Sequence, residues 1–194
     1  MELRTFKFTG LSPLLMSDIE SVNRKLPQLK LGTQPNPGDI EKIAEGLTYR
    51  EPDGTLYLKS AALRSSLLDG CSGQKLPGSR GSPRKLFQAI IFTAEDHIPI
   101  LDAKGKPVKT WETQIDSGVS KATKARVIVV RPRVPVWHLK AAFEFDREFA
   151  PSNYTEFLEI VTTIWNRAGR AVGVGAWRPQ CSGKYGRYSV EMVK

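Results

Sequence analysis

Glycines alternate with basic and aromatic residues in one segment near the end of the chain, AGRAVGVGAWRPQCSGKYGRYSV, residues 168–190. Glycine lets another group approach the backbone closely, so a phosphate could reach the N–H groups of such a segment. Its basic side chains would supply charge, and its rings would supply stacking surfaces for bases. The residues expected to act in this way are Gly173, Gly175, Trp177, Arg178, Lys184, Gly186 and Arg187.

Two familiar phosphate-binding motifs are excluded for this segment. It contains no Gly-Lys-Ser or Gly-Lys-Thr triplet, which a P-loop requires. A predicted helix, and not a strand, precedes the glycines, so they do not form a dinucleotide-binding fingerprint. The alternative to a phosphate-binding loop is a tight connection that reverses the chain after that helix.

Positive charge is concentrated in the middle of the chain. The formal net charge is +9, and residues 70–133 carry twelve basic and five acidic side chains, a net charge of +7. Such a concentration is typical of proteins that neutralise phosphates, although a basic surface without a ligand would give the same count. The central residues expected to contact nucleic acid are Lys75, Arg80, Arg84, Lys85, Arg131 and Arg133.

Residues for catalysis or metal binding are few. His97 and His138 are the only histidines, and neither lies in a Ser-His-Asp or Cys-His arrangement. Cys71 and Cys181 have no second ligand at metal-binding spacing, so we expect neither a metal nor a cofactor. Unpaired cysteines, no apolar run long enough for a membrane span and no signal peptide predict a cytoplasmic protein without a membrane partner.

Hydrophobic periodicity and turn residues predict the elements that must position these side chains. In the first half of the chain they predict a strand over 2–9, an insertion over about 10–50 with a helical turn in DIEKIAEGL, a strand over 55–59, a helix over 61–70 capped by Ser60 and a loop over 70–85. In the second half they predict a strand over 86–94, a basic arm over about 96–126 and a hairpin of VIVVR and VPVWHLKAAFEFD around Pro132. A helix that Ser152 opens and Gly169 ends, and a final strand over 185–193, complete the prediction. Without its insertions, this order approximates β-α-β-β-α-β. We therefore predict one α+β domain, residues 1–194, of the ferredoxin-like or RRM-like class.

Two segments carry a resemblance to a known family. The strand-to-helix joint LYLKSAALRSSLLDG and the closing loop VGVGAWRPQCSGKYGRY resemble those of the RAMP superfamily of CRISPR-associated proteins. The likeness is to single-domain RAMPs that polymerise along guide RNA as the backbone of effector complexes. GLSPLLM near the start, with the Gly-Ala-Trp-Arg-Pro stretch, is also similar to uncharacterised phage proteins.

The RAMP resemblance implies roles for particular residues. It implies that the RNA backbone is gripped by Ser60, Arg64, Gly173, Gly175, Lys184, Gly186 and Arg187. It also implies that the 10–50 insertion and the 70–85 loop are the thumb and finger that separate guide bases and touch the next subunit. Asp18 follows the first strand, where some RAMP backbone subunits carry an aspartate that cleaves the target.

The expected function is noncatalytic binding of single-stranded RNA, with head-to-tail oligomerisation along a guide and low sequence specificity. The expected partners are RNA, copies of the same chain and other effector subunits. Two alternatives remain open. One is a RAMP-type, metal-independent endoribonuclease that uses His138 or His97. The other is a stand-alone mobile-element protein that binds single-stranded nucleic acid or a host protein.

Overall fold

The computed structural model describes residues 1–18, 29, 36–77, 81–119 and 126–193. In chain order they form β1 (Glu2–Gly10), β2 (Leu14–Leu15), α1 (Pro37–Gly46), β3 (Tyr57–Lys59), α2 (Ser60–Gly70), α3 (Arg84–Ile90), β4 (Ile91–Thr93), β5 (His97–Pro99), β6 (Glu112–Val119), β7 (Arg126–Val134), β8 (His138–Phe145), α4 (Tyr154–Ala171) and β9 (Tyr188–Met192). Helices and antiparallel sheets occur together, so the predicted α+β class is confirmed.

A four-stranded antiparallel sheet, in the order β4-β8-β1-β9, holds the main core. Phe6 and Phe8 of β1 are buried on one face because side chains alternate along a strand. The ring of Trp165 from α4 packs on both, at centroid distances of 5.1 and 5.2 Å. Its Nε1 donates to the carbonyl of Leu63 in α2 at 3.2 Å, so one side chain joins both helices to the sheet.

Two smaller sheets flank the main one, in the orders β2-β7-β6 and β3-β5. The predicted hairpin around Pro132 is wrong: Pro132 lies inside β7, which pairs with β6, whereas β8 pairs with β1 and β4. Proline lacks an N–H but keeps a carbonyl acceptor. The carbonyl of Pro132 accepts from the N–H of Met16 at 3.0 Å, so the proline continues the strand instead of turning it.

The predicted strand over 86–94 is only partly right, because its first half forms α3 and only Ile91–Thr93 are extended. Phe87 and Ile90 are both buried, at the i, i+3 spacing of a helix face. Because nearly every residue of the run LFQAIIF is apolar, this helical spacing does not stand out in the sequence. Arg84 and Lys85 therefore lie in the first turn of a helix and not in the predicted loop.

The predicted Ser60 cap is wrong, and so is the predicted start of the second helix at Ser152. Lys59 is the N-cap of α2, and the buried Ser60 is the first helical residue, whose N–H donates to the carbonyl of Asp96 at 2.9 Å. Asn153, not Ser152, caps α4 by accepting from the N–H of Glu156.

Gly169 does not end α4, which continues to Ala171. A Cβ at Gly169 would lie 2.1 Å from the carbonyl oxygen of Tyr188. Glycine here lets β9 approach the helix.

Part of the predicted 10–50 insertion contributes to the core. Leu14 and Met16 belong to the main hydrophobic cluster. The helical turn predicted in DIEKIAEGL is confirmed as α1, whose Ala44 packs in a second cluster with Val130 of β7. Residues 19–28 and 30–35 of this segment lie outside the described residues. Among the described helices, none is long and apolar enough to cross a membrane.

Candidate nucleic-acid interface

The segment between α4 and β9, residues 172–187, is the glycine-rich loop. Its backbone adopts positive φ at Gly175 (76°) and Gly186 (65°), and also at Trp177 (49°). A positive φ is costly for a bulky side chain and often marks a functional site. The carbonyl of Trp177 accepts from the N–H of Tyr185 at 3.1 Å, so contacts within the loop hold Trp177 in this conformation.

Several N–H groups of the glycine-rich loop donate within the protein. The N–H of Val174 donates to the carbonyl of Gly186 at 2.9 Å. Those of Ala176 and Gly186 donate to the carbonyls of Leu15 and Pro13, each at 2.8 Å. These amides fasten the loop to the segment around β2. The loop therefore presents mainly side chains, and few free backbone amides, to a ligand.

The glycines of the loop are packed against protein atoms. A Cβ at Gly175 would lie 2.5 Å from the carbonyl oxygen of Leu15, and one at Gly173 would lie 2.8 Å from Cδ of Pro179. One at Gly186 would lie 1.7 Å from the carbonyl oxygen of Val174. Since these distances are shorter than ordinary contact, glycine is needed here for the loop to fold.

The glycine-rich loop and the start of α2 enclose a groove of about 420 Å³, which we call the α2–loop groove. The residues that give it chemical character are Ser17, Tyr49, Lys59, Gly175, Trp177 and Arg178. Two cations and two aromatic rings thus line one cleft. Such a combination suits single-stranded nucleic acid, whose phosphates attract cations and whose bases stack on rings.

Contacts within the protein hold the groove side chains in place. The Arg178 guanidinium donates to the carbonyl of Gly175 at 3.2 Å and to the side-chain oxygen of Gln180 at 3.0 Å. Lys59 Nζ lies 5.5 Å from the ring centroid of Tyr49, and the Tyr49 hydroxyl donates to the carbonyl of Ser17 at 2.8 Å. The cations are therefore positioned before any ligand arrives.

An acidic residue lies behind this cleft. Gln180 donates to Asp69 at 2.9 Å, and Arg84 donates to it at 2.8 Å. Burial acts to raise the pKa of Asp69, but these hydrogen bonds and the nearby positive charges outweigh it, so the pKa lies below its usual value. Asp69 is ionised at neutral pH, and it anchors the loop to α2 through Gln180.

Three predicted cations engage protein acceptors. Arg64 donates from Nε to the carbonyl of Ile91 at 2.7 Å and from Nη2 to that of Gln88 at 2.8 Å. It thereby caps the C-terminal end of α3. Arg84 pairs with Asp69, and Arg133 pairs with Glu112. Their roles in RNA binding stay predictions.

The remaining predicted cations differ in exposure. Lys75, Lys85, Lys184 and Arg187 are exposed, and Arg80 lies outside the described residues. Arg131 is half-buried, and its Nε finds no hydrogen-bond partner among the residues that the structure describes.

Burial lowers the pKa of Arg131 because it disfavours the charged form. Leu15 pairs with Arg133 across β2 and β7. Arg131 lies two residues before this pair on β7 and is not among the residues that line the α2–loop groove.

The catalytic candidates lie on separate elements. His138 is on β8, where it exchanges two backbone hydrogen bonds of 2.9 Å with Leu101. Asp18 is buried and follows Ser17 in the chain, and His97 on β5 contacts Glu51. No group of three or more potential metal ligands occurs within the described ranges.

The two cysteines are unpaired. Burial raises the pKa of Cys71 to about 11, so this thiol is unreactive at neutral pH.

Sequence reasoning identified Arg178 and Trp177 but missed Lys59 and Tyr49. Lys59 belongs to the strand-to-helix joint LYLKS, and this joint was the one sequence feature that could have identified it as a site residue. No local pattern marked Tyr49, because only the tertiary fold brings the end of the 10–50 segment to the groove.

Comparisons with known proteins show similarity to solved structures only. No family model and no curated protein matches this chain. It is similar to Cmr6 from Pyrococcus furiosus, with 15% identity over 97% of each chain and a TM-score of 0.48. It is similar to a chain of the Type III-B Cmr-beta complex bound to cognate target RNA, with 11% identity and a TM-score of 0.47, and it spans 61% of that chain.

A third similar structure is a chain of a Type IV-B CRISPR complex. The identity is 10%, the coverage is 99% of this chain and 90% of that one, and the TM-score is 0.52. This likeness indicates a shared fold. The comparisons give no support to the predicted resemblance to phage proteins.

Proposed function

We propose that this chain is a RAMP-type subunit of a CRISPR effector complex that binds the backbone of single-stranded guide RNA in the α2–loop groove. One observation carries the proposal. The two segments that resemble RAMP motifs, the joint at Lys59 and the glycine-rich loop at Arg178, are far apart in sequence but line the same cleft. Each contributes one cation and lies next to one aromatic ring.

The arrangement of the main sheet supports a ferredoxin-like fold. In chain order, β1, α2, β4, β8, α4 and β9 follow the pattern β-α-β-β-α-β. The strand order β4-β8-β1-β9 places the first and third strands of this unit in the middle. This is the order expected of a split βαβ unit, and the likeness to the Type IV-B chain agrees with it.

Binding in the groove would rest on phosphate neutralisation. Lys59 and Arg178 would contact phosphates directly, and the exposed Lys184 and Arg187 would extend the positive field along the loop. Because most loop amides are occupied, charge and not backbone donors would supply the affinity.

The wider assembly is also part of the proposal. Contacts to the backbone leave the bases free to pair with a target strand. Residues 10–50 and 70–85 would contact the next copy of the chain along the RNA or other effector subunits. Such a complex would act in the cytoplasm.

Binding to single-stranded RNA is the first expected outcome. The affinity should fall steeply with salt, because each phosphate that the protein neutralises on a single strand contributes a slope of about −0.7 in log K against log[salt]. Filter binding or fluorescence anisotropy across a salt series measures this, with duplex RNA as the control. RNA that copurifies with the protein should also have a regular length. Absence of binding, or a slope near zero, would refute the proposal.

His138 favours one alternative, a metal-independent endoribonuclease, because its Nδ1 is buried without a hydrogen-bond partner among the described residues. Under our proposal, His138→Ala leaves both RNA binding and the integrity of end-labelled RNA unchanged in EDTA. Wild-type cleavage that His138→Ala abolishes would establish the nuclease instead. His97→Ala tests the other histidine of this alternative in the same cleavage assay.

A further inference from the structure

The two-stranded sheet β3-β5 presents an aromatic face to solvent. Leu58 and Ile98 pair with each other and are buried in the core. Strand alternation therefore places the neighbouring pairs, Tyr57 with Pro99 and Lys59 with His97, on the opposite face.

The rings on this face form a row that starts in the α2–loop groove. Tyr49, which lines the groove, lies 5.7 Å from Tyr57, and Tyr57 stacks on His97 at 3.8 Å with an interplanar angle of 17°. Lys59 lies over the ring of Tyr49. A strand of nucleic acid that leaves the groove would meet this row next.

The row ends in a second cavity of about 460 Å³, which we call the β3–β5 pocket. Its walls are Pro52, Tyr57, His97, Pro99 and Pro107. Rigid rings thus form most of this lining, and Glu51, Asp53 and Thr55 complete it. The shape of the rings matches a planar aromatic ligand better than a flexible chain.

Two carboxylates stand at the edge of the β3–β5 pocket. Glu51 Oε1 contacts His97 Nδ1 at 2.6 Å. Since the carboxylate must accept, Nδ1 carries the proton, and the imidazole plane is fixed. Asp53 accepts from the N–H and the hydroxyl of Thr55 at 2.8 and 2.7 Å, and these hydrogen bonds hold its pKa below the usual value.

We propose that the β3–β5 pocket binds one unpaired purine base of the RNA whose backbone lies in the α2–loop groove; this inference rests on the proposed function. The base stacks beside Tyr57 and His97. Its exocyclic amino group donates to Glu51 Oε2, the oxygen that the His97 contact does not use. Asp53 pairs with Lys109 at 3.5 Å, so the choice of a base over a phosphate rests on the apolar rings and on Glu51, and the backbone stays at Lys59 and Arg178.

Two oligonucleotides test this base site. One is an oligo(U) of about 12 nucleotides, within the range that a single-strand site spans, and the other carries one central 2-aminopurine in place of a uridine. 2-Aminopurine fluorescence falls when the base stacks. Wild-type protein is expected to bind the 2-aminopurine strand about 5-fold to 100-fold more tightly and to quench its fluorescence.

Variants assign the preference to the pocket. Tyr57→Leu and His97→Leu should each remove the quenching and most of the preference, and should leave affinity for oligo(U) and its salt slope unchanged. His97 is exposed, so its variant keeps the test decisive if Tyr57→Leu unfolds. Phe149→Leu, which removes an aromatic ring that is 68% exposed elsewhere, is the matched control and should behave as wild type.

Each result separates the two proposals. If wild type binds both strands equally, or if both pocket variants keep the preference, the base site is refuted while backbone binding stands. If wild type binds neither strand, the proposed function fails, and the base site fails with it.

Discussion

Gly186→Ala should destabilise the fold by about 3 kcal/mol or more, among the largest effects expected of a single methyl group. The new Cβ would lie 1.7 Å from the carbonyl oxygen of Val174, at a φ of 65° that alanine adopts only with strain. Relief requires Val174 to move. That movement breaks its hydrogen bond to the Gly186 carbonyl and loosens the contact of Gly186 with Pro13. Urea unfolding followed by circular dichroism measures the loss.

Gly105→Ala is the matched control for this substitution. Gly105 has a similar φ of 76°, but no atom lies within 4 Å of a Cβ built there. Gly105→Ala therefore isolates the cost of placing alanine at a positive φ, which should lower the free energy of unfolding by about 1 kcal/mol. Equal effects at the two positions would contradict the packing role that we assign to Gly186.

Removing both groove cations should produce the largest loss of RNA affinity. Lys59→Gln combined with Arg178→Gln keeps polar side chains at both positions but deletes two charges at the α2–loop groove. We expect a decrease of about 10-fold or more at low salt, since charge-assisted contacts are stronger than neutral ones. The salt slope should shrink by about 1.4, the value for two phosphate contacts on a single strand.

Two single variants are the controls. Arg167→Gln controls for the loss of a positive charge, and Arg64→Gln controls for a loss of stability. Arg167 is exposed on α4, so its loss should change the slope little. Arg64 caps α3, so its loss should lower the melting temperature and leave the RNA affinity of the folded protein nearly unchanged. Because Arg178 also contacts Gln180, Lys59→Gln alone must reproduce half of the slope change. An equal effect of Arg167→Gln would instead indicate nonspecific attraction.

Local hydrophobic periodicity predicted those elements whose pattern lies entirely within one helix or one strand. The helical spacing of Phe157, Val161 and Trp165 identified α4, and the alternation of Leu139 and Phe143 identified β8. Both patterns arise within one element that buries one face. The predicted cap at Ser60 and the predicted helix start at Ser152 were wrong because a neighbouring residue, Lys59 or Asn153, occupies the cap position in each case.

Pairing between distant segments was not predictable in the same way. The sequence around Pro132 looks like a turn, yet its strand continues because β6 pairs with it and Met16 uses its carbonyl. The α2–loop groove shows the same limit. Residue types identified the glycine-rich loop, but the approach of Lys59 and Tyr49 depends on how α2 packs beside it.

The packing of the glycine-rich loop distinguishes residues that the fold requires from residues that only a ligand would require. Gly175 and Gly186 face protein atoms, so a descendant chain that lost its ligand would still need them in order to fold. Lys59 and Arg178 line the cleft, and their positive charge would no longer be required once no ligand remained. A search by the glycine pattern alone would thus collect both binding and non-binding members of a lineage. Positive charge at positions 59 and 178 would be the feature that distinguishes them.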